Sequence, residues 1–298
     1  LLLDKPGFNH VWIDGLGMDP WGRKMSKSLG NGIDADSVLE CGAGGKTGSW
    51  KVKGPDKTVS LRANKIGSEC FRLWKACDAQ VGDDFHINPE EIEKKDYGVL
   101  TKIFNVARFA SMFPCPDDLE TTPADLAIED KWIIAEFQST MSTVEKSWHE
   151  LDIYTATQAL KSFATGVLPS HWLEMVKSRL YDDDEAAAWT IHRIVRDFLS
   201  AFSPICPFFS HHISLTIYSK SAVDVDSFPV NIVNELAVDM QQGDDLRKLT
   251  SSIQEFNSST WNGKKEAGIS LNKPISGVII PDELSEFTTI LTSMHSLE

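Results

Sequence analysis

At 298 residues, 42% of them hydrophobic and 24% charged, the chain has ordinary globular make-up and room for two or three compact units. No apolar run approaches the ~20 residues of a membrane-spanning helix, so no membrane partner is expected. A net charge of −14 excludes indiscriminate nucleic-acid binding over the whole surface, but it leaves room for a local basic footprint.

Residues 8 to 45 are rich in Gly and Asp and include the short apolar stretch Val11-Trp12-Ile13. They read as a strand followed by a loop bounded by Gly15, Gly17, Gly22 and Gly30. From Ser49 to Leu61 polar and apolar residues partly alternate on either side of Gly54-Pro55-Asp56-Lys57, a turn sequence, which predicts a β-hairpin. Lys46, Lys51, Lys53, Lys57, Arg62 and Lys65 stand in and around it against one acid, Asp56. This cluster is either a footprint for a polyanion or a solvated hairpin without a partner, and charge pattern leaves both open. Ile66, Cys70, Leu73, Trp74 and Cys77 recur at helical spacing and predict a helix over 65–78.

Beyond Pro89 the pattern turns helical. Asn88-Pro89-Glu90-Glu91 starts a first long helix, with Ile92, Val99, Ile103, Val106, Ala110 and Phe113 along one face. Ile133, Phe137, Met141, Val144, Trp148 and Leu151 mark a second. Ile153, Ala156, Leu160, Phe163 and Val167 mark a third, interrupted near Pro169. Ile191, Ile194, Val195, Phe198 and Phe202 mark a fourth, and Pro204 to Tyr218 supplies a fifth. Amphipathic helices joined by short polar links predict a bundle, with Trp132, Trp148, Trp172 and Trp189 in its core. The texture changes after Pro229. A helix from about Asp244 to Lys265 leads to Ser276-Gly277-Val278-Ile279-Ile280, predicted as a short buried strand, and then to a final helix.

The expected fold is therefore mainly α, a helical bundle over 89–220 followed by a small α/β C-terminal domain over 221–298. The five cysteines form no Cys-x-x-Cys pair, so neither a zinc knuckle nor a disulfide framework is expected, and a reducing cytoplasm fits.

The stretch from Asp19 to Asn31 carries the most chemistry. Lys24 and Lys27 stand three residues apart among Ser26, Ser28 and flanking glycines. Such a loop can close over a polyphosphate. Nucleotidyl transfer moves negative charge toward the departing pyrophosphate, and mobile ammonium groups placed there lower the barrier. The spacing fits neither GxxxxGK[ST] nor GxGxxG.

Lys24-Met25-Ser26-Lys27-Ser28, with Gly22 before and Gly30-Asn31 after, matches the KMSKS signature of class I aminoacyl-tRNA synthetases. Cys70-Phe71-Arg72-Leu73-Trp74 and Gly82-Asp83-Asp84-Phe85 resemble that family's link between catalytic and helical domains. Phe104-Asn105-Val106-Ala107-Arg108-Phe109 is similar to the first helix of its anticodon-binding bundle, and His171 to Lys177 and Pro204 to Phe209 are similar to later ones. Within the family, the Asn-x-x-Arg-Phe pattern, Gly-Asp-Asp-Phe and Lys265 to Pro274 favour the valine branch over the isoleucine and leucine branches.

The resemblance implies that residues 1–88 end a Rossmann-like catalytic domain and that the chain is the C-terminal part of a longer protein. It implies valine and ATP, with Mg2+, as substrates, tRNA(Val) as partner, and neither DNA nor membrane binding. Lys24, Met25, Ser26, Lys27 and Ser28 would meet ATP, with Lys24 and Lys27 catalytic. The family's other ATP signature, His-x-Gly-His, is not found here, so the chain alone is expected to be inactive. His211 and His212 fall on a predicted bundle helix and read as surface or packing residues. The run Gly42 to Lys65, with its hairpin, looks longer than the short helix-to-helix link expected from the resemblance, which assigns it no role.

On the first bundle helix Arg108 points nearly opposite the apolar seam, with Asn105 and Phe109 to either side at positions where their side chains can meet. A ring to stack, an amide to read a base edge and a cation for phosphate suit a splayed RNA base. The competing reading puts Phe109 at the margin of the apolar stripe and pairs Arg108 with a carboxylate. The family resemblance favours RNA. The remaining alternatives are an RNA-binding helical module without catalysis and a helical scaffold with an accidental signature.

Overall fold

In the computed structural model, which describes residues 10–42, 45–220 and 240–298, the first paired strand is β1 (Gly17–Met18). It lies parallel to β4 (Phe85–His86), in the register Gly17 to Phe85 and Met18 to His86. Asp84 fixes the join, accepting the Leu16 N–H at 2.7 Å. Between the two strands run α1 (Ala35–Glu40), the antiparallel hairpin β2 (Gly48–Lys53) and β3 (Thr58–Ala63), and α2 (Gly67–Asp78). Val38, Trp50, Val52, Leu61, Ile66, Cys70, Leu73, Trp74 and Cys77 form their core. The hairpin and α2 stand where the alternation and the helical spacing predicted them.

Val11-Trp12-Ile13 corrects the strand expected there. The stretch has no strand partner among the described residues, and Ile13 is 75% exposed. Three apolar residues make a strand only where a neighbour completes the ladder.

Helix α3 (Pro89–Ile92) passes through a π turn at Glu93–Tyr97 into α4 (Gly98–Ala110), with Val99, Ile103, Val106 and Ala110 buried along the predicted seam. The bundle continues with α5 (Ile128–His149), α6 (Ile153–Thr165), α7 (Leu173–Tyr181), α8 (Glu185–Phe202) and α9 (Pro207–Tyr218). The third helix is interrupted near Pro169 as expected: α6 ends at Thr165, and a π turn at Leu168–Trp172, which accommodates the missing N–H, leads into α7. Trp132, Trp172 and Trp189 are buried, and Trp148 is half-buried. The change of texture after Pro229 lies outside the described residues.

Helices α10 (Met240–Lys248) and α11 (Thr250–Glu266) follow, then a 3-10 turn (Asp282–Phe287) and α12 (Thr288–His295). The strand expected at Ser276–Ile280 is not formed. The chain there makes only a single bridge, Ile275 to Leu297, and Ile279 is 87% exposed. Gly277, at φ +78°, breaks the extended run between Pro274 and Pro281. By contact, residues up to Leu100 with Ile153–Thr157 form one compact unit, and Thr101–Asp152 with Gln158–Glu298 form the other.

The C-terminal stretch is fastened by one side chain. The fully buried ammonium of Lys264 donates to the carbonyls of Leu271, Lys273 and His295 at 2.8, 2.7 and 2.7 Å. The buried His295 ring meets the Asn257 Oδ1 at 2.8 Å. Burial, and then the Lys264 charge, pull this imidazole from 6.5 down to about 4. A lowered folded-state value favours the neutral ring, so its stabilising contribution is complete above pH 6.5 and drains away as pH falls toward 4. Acidification across that window is expected to cost on the order of 3 kcal/mol. His295→Gln should flatten the fall in urea midpoint between pH 7 and 4; an unchanged pH slope would acquit this ring.

Candidate functional site

The loop predicted to handle phosphate is built on a buried carboxylate. Asp19, wholly buried, accepts the N–H groups of Trp21 and Arg23 at 3.0 Å, the Arg23 Nε at 2.9 Å and the Asn31 amide at 2.9 Å. Burial alone would push this carboxyl up; donation from Asn31, Arg23 and Trp21 overrides that and holds it below the ordinary aspartate value.

Asn31, also buried, closes the loop from its far end. It donates to the Lys24 carbonyl at 3.1 Å and accepts the Ser26 N–H at 2.9 Å. The first half of the loop leans on β1, since Met25 donates to the Gly17 carbonyl at 2.9 Å. The second half is a tight turn. Gly30, in the left-handed region at φ +64°, donates to the Lys27 carbonyl at 3.2 Å, and the Ser26 hydroxyl accepts the Leu29 N–H at 3.1 Å. A residue with a Cβ would be strained at that φ.

This frame leaves Lys24, Lys27 and Ser28 exposed, with Met25 and Ser26 half-buried. Among the described residues no carboxylate pairs with either lysine. Two unneutralised ammonium groups on a turn anchored at both ends can meet a polyphosphate without first breaking an ion pair.

The hairpin reinforces the anchor. Lys53, at the end of β2, donates its backbone N–H to the Gly30 carbonyl at 3.1 Å, and its own carbonyl accepts from the Arg23 guanidinium. One residue thus straps both flanks of the loop. Residue type at position 53 carries no sign of it, because Lys53 takes part through its main chain.

On α4, Asn105 and Arg108 are exposed, and among the described residues no carboxylate pairs with Arg108. Phe109 is half-buried. Its ring meets Phe113 edge-on at 5.0 Å and Tyr181 at 6.3 Å. Tyr181, 61% exposed at the end of α7, was missed by sequence reasoning, since it lies far from α4 in the chain and outside any apolar repeat. His212 is exposed and His211 half-buried on α9. Among the described residues no helix is long and apolar enough to cross a membrane.

The chain is similar to known proteins along its length. A family model described as "tRNA synthetases class I (I, L, M and V)" matches residues 2–88, and one described as "Anticodon-binding domain of tRNA ligase" matches residues 130–279. A valine--tRNA ligase of Aeropyrum pernix is 30% identical over 99% of this chain and 33% of its own length. Those of Pyrobaculum aerophilum and Nanoarchaeum equitans are 27% and 25% identical, over 96% and 100% of this chain and 32% and 34% of their own lengths. The chain thus spans about a third of the length of these relatives. Among solved structures, the LeuRS of Agrobacterium radiobacter, determined as a ternary LeuRS-tRNA-LeuAMS complex, shares the fold. Its TM-score is 0.52 at 17% identity, over 74% of this chain and 24% of that one. With the signature loop in its anchored frame and both family models in place, the chain belongs to the class I aminoacyl-tRNA synthetases and carries their anticodon-binding domain.

Proposed function

We propose that the chain is the part of a valine–tRNA ligase that supplies the ATP loop and the tRNA-reading helix. In the intact protein, valine and Mg2+-bound ATP give valyl-adenylate and pyrophosphate, and the valyl group then passes to the 3′ end of tRNA(Val). The observation that carries this reading is the signature loop, pinned at its base by Asp19 and Asn31 while Lys24 and Lys27 stay exposed and, among the described residues, without a carboxylate partner. Lys24 and Lys27 act on the leaving pyrophosphate, and Met25, Ser26 and Ser28 form the surface that meets the nucleotide. We assign residues 1–88 to the catalytic side, 89–220 to tRNA binding and 221–298 to a C-terminal appendage, in a cytoplasmic protein. The full-length protein should exchange pyrophosphate into ATP with valine and far less with isoleucine or leucine. Exchange driven best by another amino acid overturns the valine assignment.

Asn105, Arg108 and Phe109 form the base-reading triad of the same proposal. Arg108→Ala and Phe109→Ala should each weaken tRNA(Val) binding by ~1–3 kcal/mol, roughly tenfold to a hundredfold, and leave adenylate formation intact. Loss of the Arg108 charge should also flatten the salt dependence. Because Phe109 packs on Phe113 and Tyr181, melting temperature is measured on the same variants. A destabilised Phe109→Ala that binds tRNA normally below its melting point would remove that ring from recognition.

A further inference from the structure

The hairpin between β2 and β3 carries a surface of one sign. In β2, Gly48, Trp50 and Val52 are buried and Ser49, Lys51 and Lys53 exposed; in β3, Leu61 and Ala63 are buried and Thr58, Ser60 and Arg62 exposed. The register sets Ser49 opposite Arg62, Lys51 opposite Ser60 and Lys53 opposite Thr58, so these six side chains share one face of the ribbon. The face holds three cations, three hydroxyls and no carboxylate. The Ser49 and Ser60 hydroxyls lie 3.3 Å apart on it.

Lys46 is paired with Glu40 at 2.9 Å and Lys75 with Asp14 at 3.0 Å, whereas among the described residues no carboxylate pairs with Lys51, Lys53 or Arg62. Two acids that reach this end of β3 are turned to other work. Glu90 and Glu93 accept the backbone N–H groups of Arg62 and Asn64 at 3.0 and 2.7 Å. Ladder N–H groups lie in the plane of the sheet, so both carboxylates cap its edge and leave its face uncovered. In a chain of net charge −14, an idle solvated face would be expected to mix signs.

We propose that this face binds the phosphate backbone of an RNA strand, as a second tRNA contact besides the one assigned to Asn105, Arg108 and Phe109. A lone phosphate needs donors converging on a point. Here the donors form a row from the Ser49–Arg62 pair to the Lys53–Thr58 pair, about 14 Å long at ~3.4 Å per residue. That length matches several consecutive phosphates, and cations interleaved with hydroxyls are the usual donors to them. The identity of the strand as tRNA rests on the function proposed above.

The test uses the full-length protein with Lys51, Lys53 and Arg62 all changed to Thr. Tm is recorded first, and tRNA(Val) affinity is then titrated at several salt concentrations. The affinity should fall about tenfold or more at low salt, and the slope of log K against log salt should shrink by about 2, as expected when roughly three phosphate contacts go. Lys51→Arg/Lys53→Arg/Arg62→Lys should retain both. If the Thr variant keeps its Tm, its affinity and its slope while Arg108→Ala loses affinity, the hairpin contact is overturned and the tRNA reading stands. If the unaltered protein binds no tRNA, both fall. A Thr variant that loses ATP affinity but keeps tRNA affinity overturns the RNA assignment of the face.

Discussion

In the full-length protein, Lys27→Ala is expected to slow adenylate formation by about two to three orders of magnitude, with valine affinity little changed. The size follows from where charge develops. Removing one preorganised donor aimed at a forming negative charge costs about 3–4 kcal/mol in an enclosed site. Lys27 sits in the turn between the anchors, where its carbonyl accepts the Gly30 N–H. The Asp19–Asn31 bond and the Lys53 strap do not involve its side chain, so the substitution removes a charge and leaves the loop frame in place. Single-turnover measurement of adenylate is the decisive assay, because steady-state rates can be set by product release. An unchanged single-turnover rate would take Lys27 out of the mechanism.

The second large effect is on stability. Arg179 holds Glu129 at 2.7 Å, Asp130 at 2.8 Å and Asp184 at 2.9 Å, and the first two carboxylates are buried. Arg179→Ala would leave them without their cation, and removing one partner of a buried ion pair costs about 3–5 kcal/mol. The loss should depend on pH. Burial pushes the Asp130 carboxyl from 3.8 up to about 6, against the pull of Arg179. A raised carboxyl favours its protonated form in the folded chain. Its stabilising contribution is therefore complete below pH 3.8 and disappears as pH rises through about 6. Without Arg179 that tendency strengthens, so the deficit in urea midpoint should be greater at pH 7.5 than at pH 5. A deficit under about 1 kcal/mol at neutral pH would mean the network is an exposed-type pair in effect.

Legibility differed sharply between parts of the chain. The bundle could be read because each helix buries a stripe, and Val99, Ile103, Val106 and Ala110 mark theirs by spacing alone. The signature loop could be read because its chemistry lies in consecutive letters. Tertiary completion is what periodicity cannot supply. Val11-Trp12-Ile13 looked like a strand by composition and has no strand partner among the described residues, while Ser276–Ile280 looked buried and is largely exposed. Lys264 fell within a predicted helix and gave no hint that its ammonium would gather three carbonyls. Of the candidate site, the lysines and Arg108 were singled out by residue type, whereas Tyr181 and Lys53 join it only in the fold. The first enters through a distant helix and the second through its backbone.

The Lys53 strap also bears on how this loop tolerates change. Lys53 contributes only main-chain groups to its two bonds, with Gly30 and with the Arg23 guanidinium, so any residue other than proline at that position can make them, and side-chain drift in the hairpin cannot sever them. What can sever them is a slip in pairing. A shift of one residue between β2 and β3 would turn Trp50 and Val52 toward solvent, exposing two buried apolar side chains at once. The hold on the loop is therefore guarded by residues that never touch it. Point substitutions on the hairpin face change its charge without touching the strap, while an inserted or deleted residue between Gly48 and Lys53 would undo the strap and leave the loop on its Asp19 and Asn31 anchors alone.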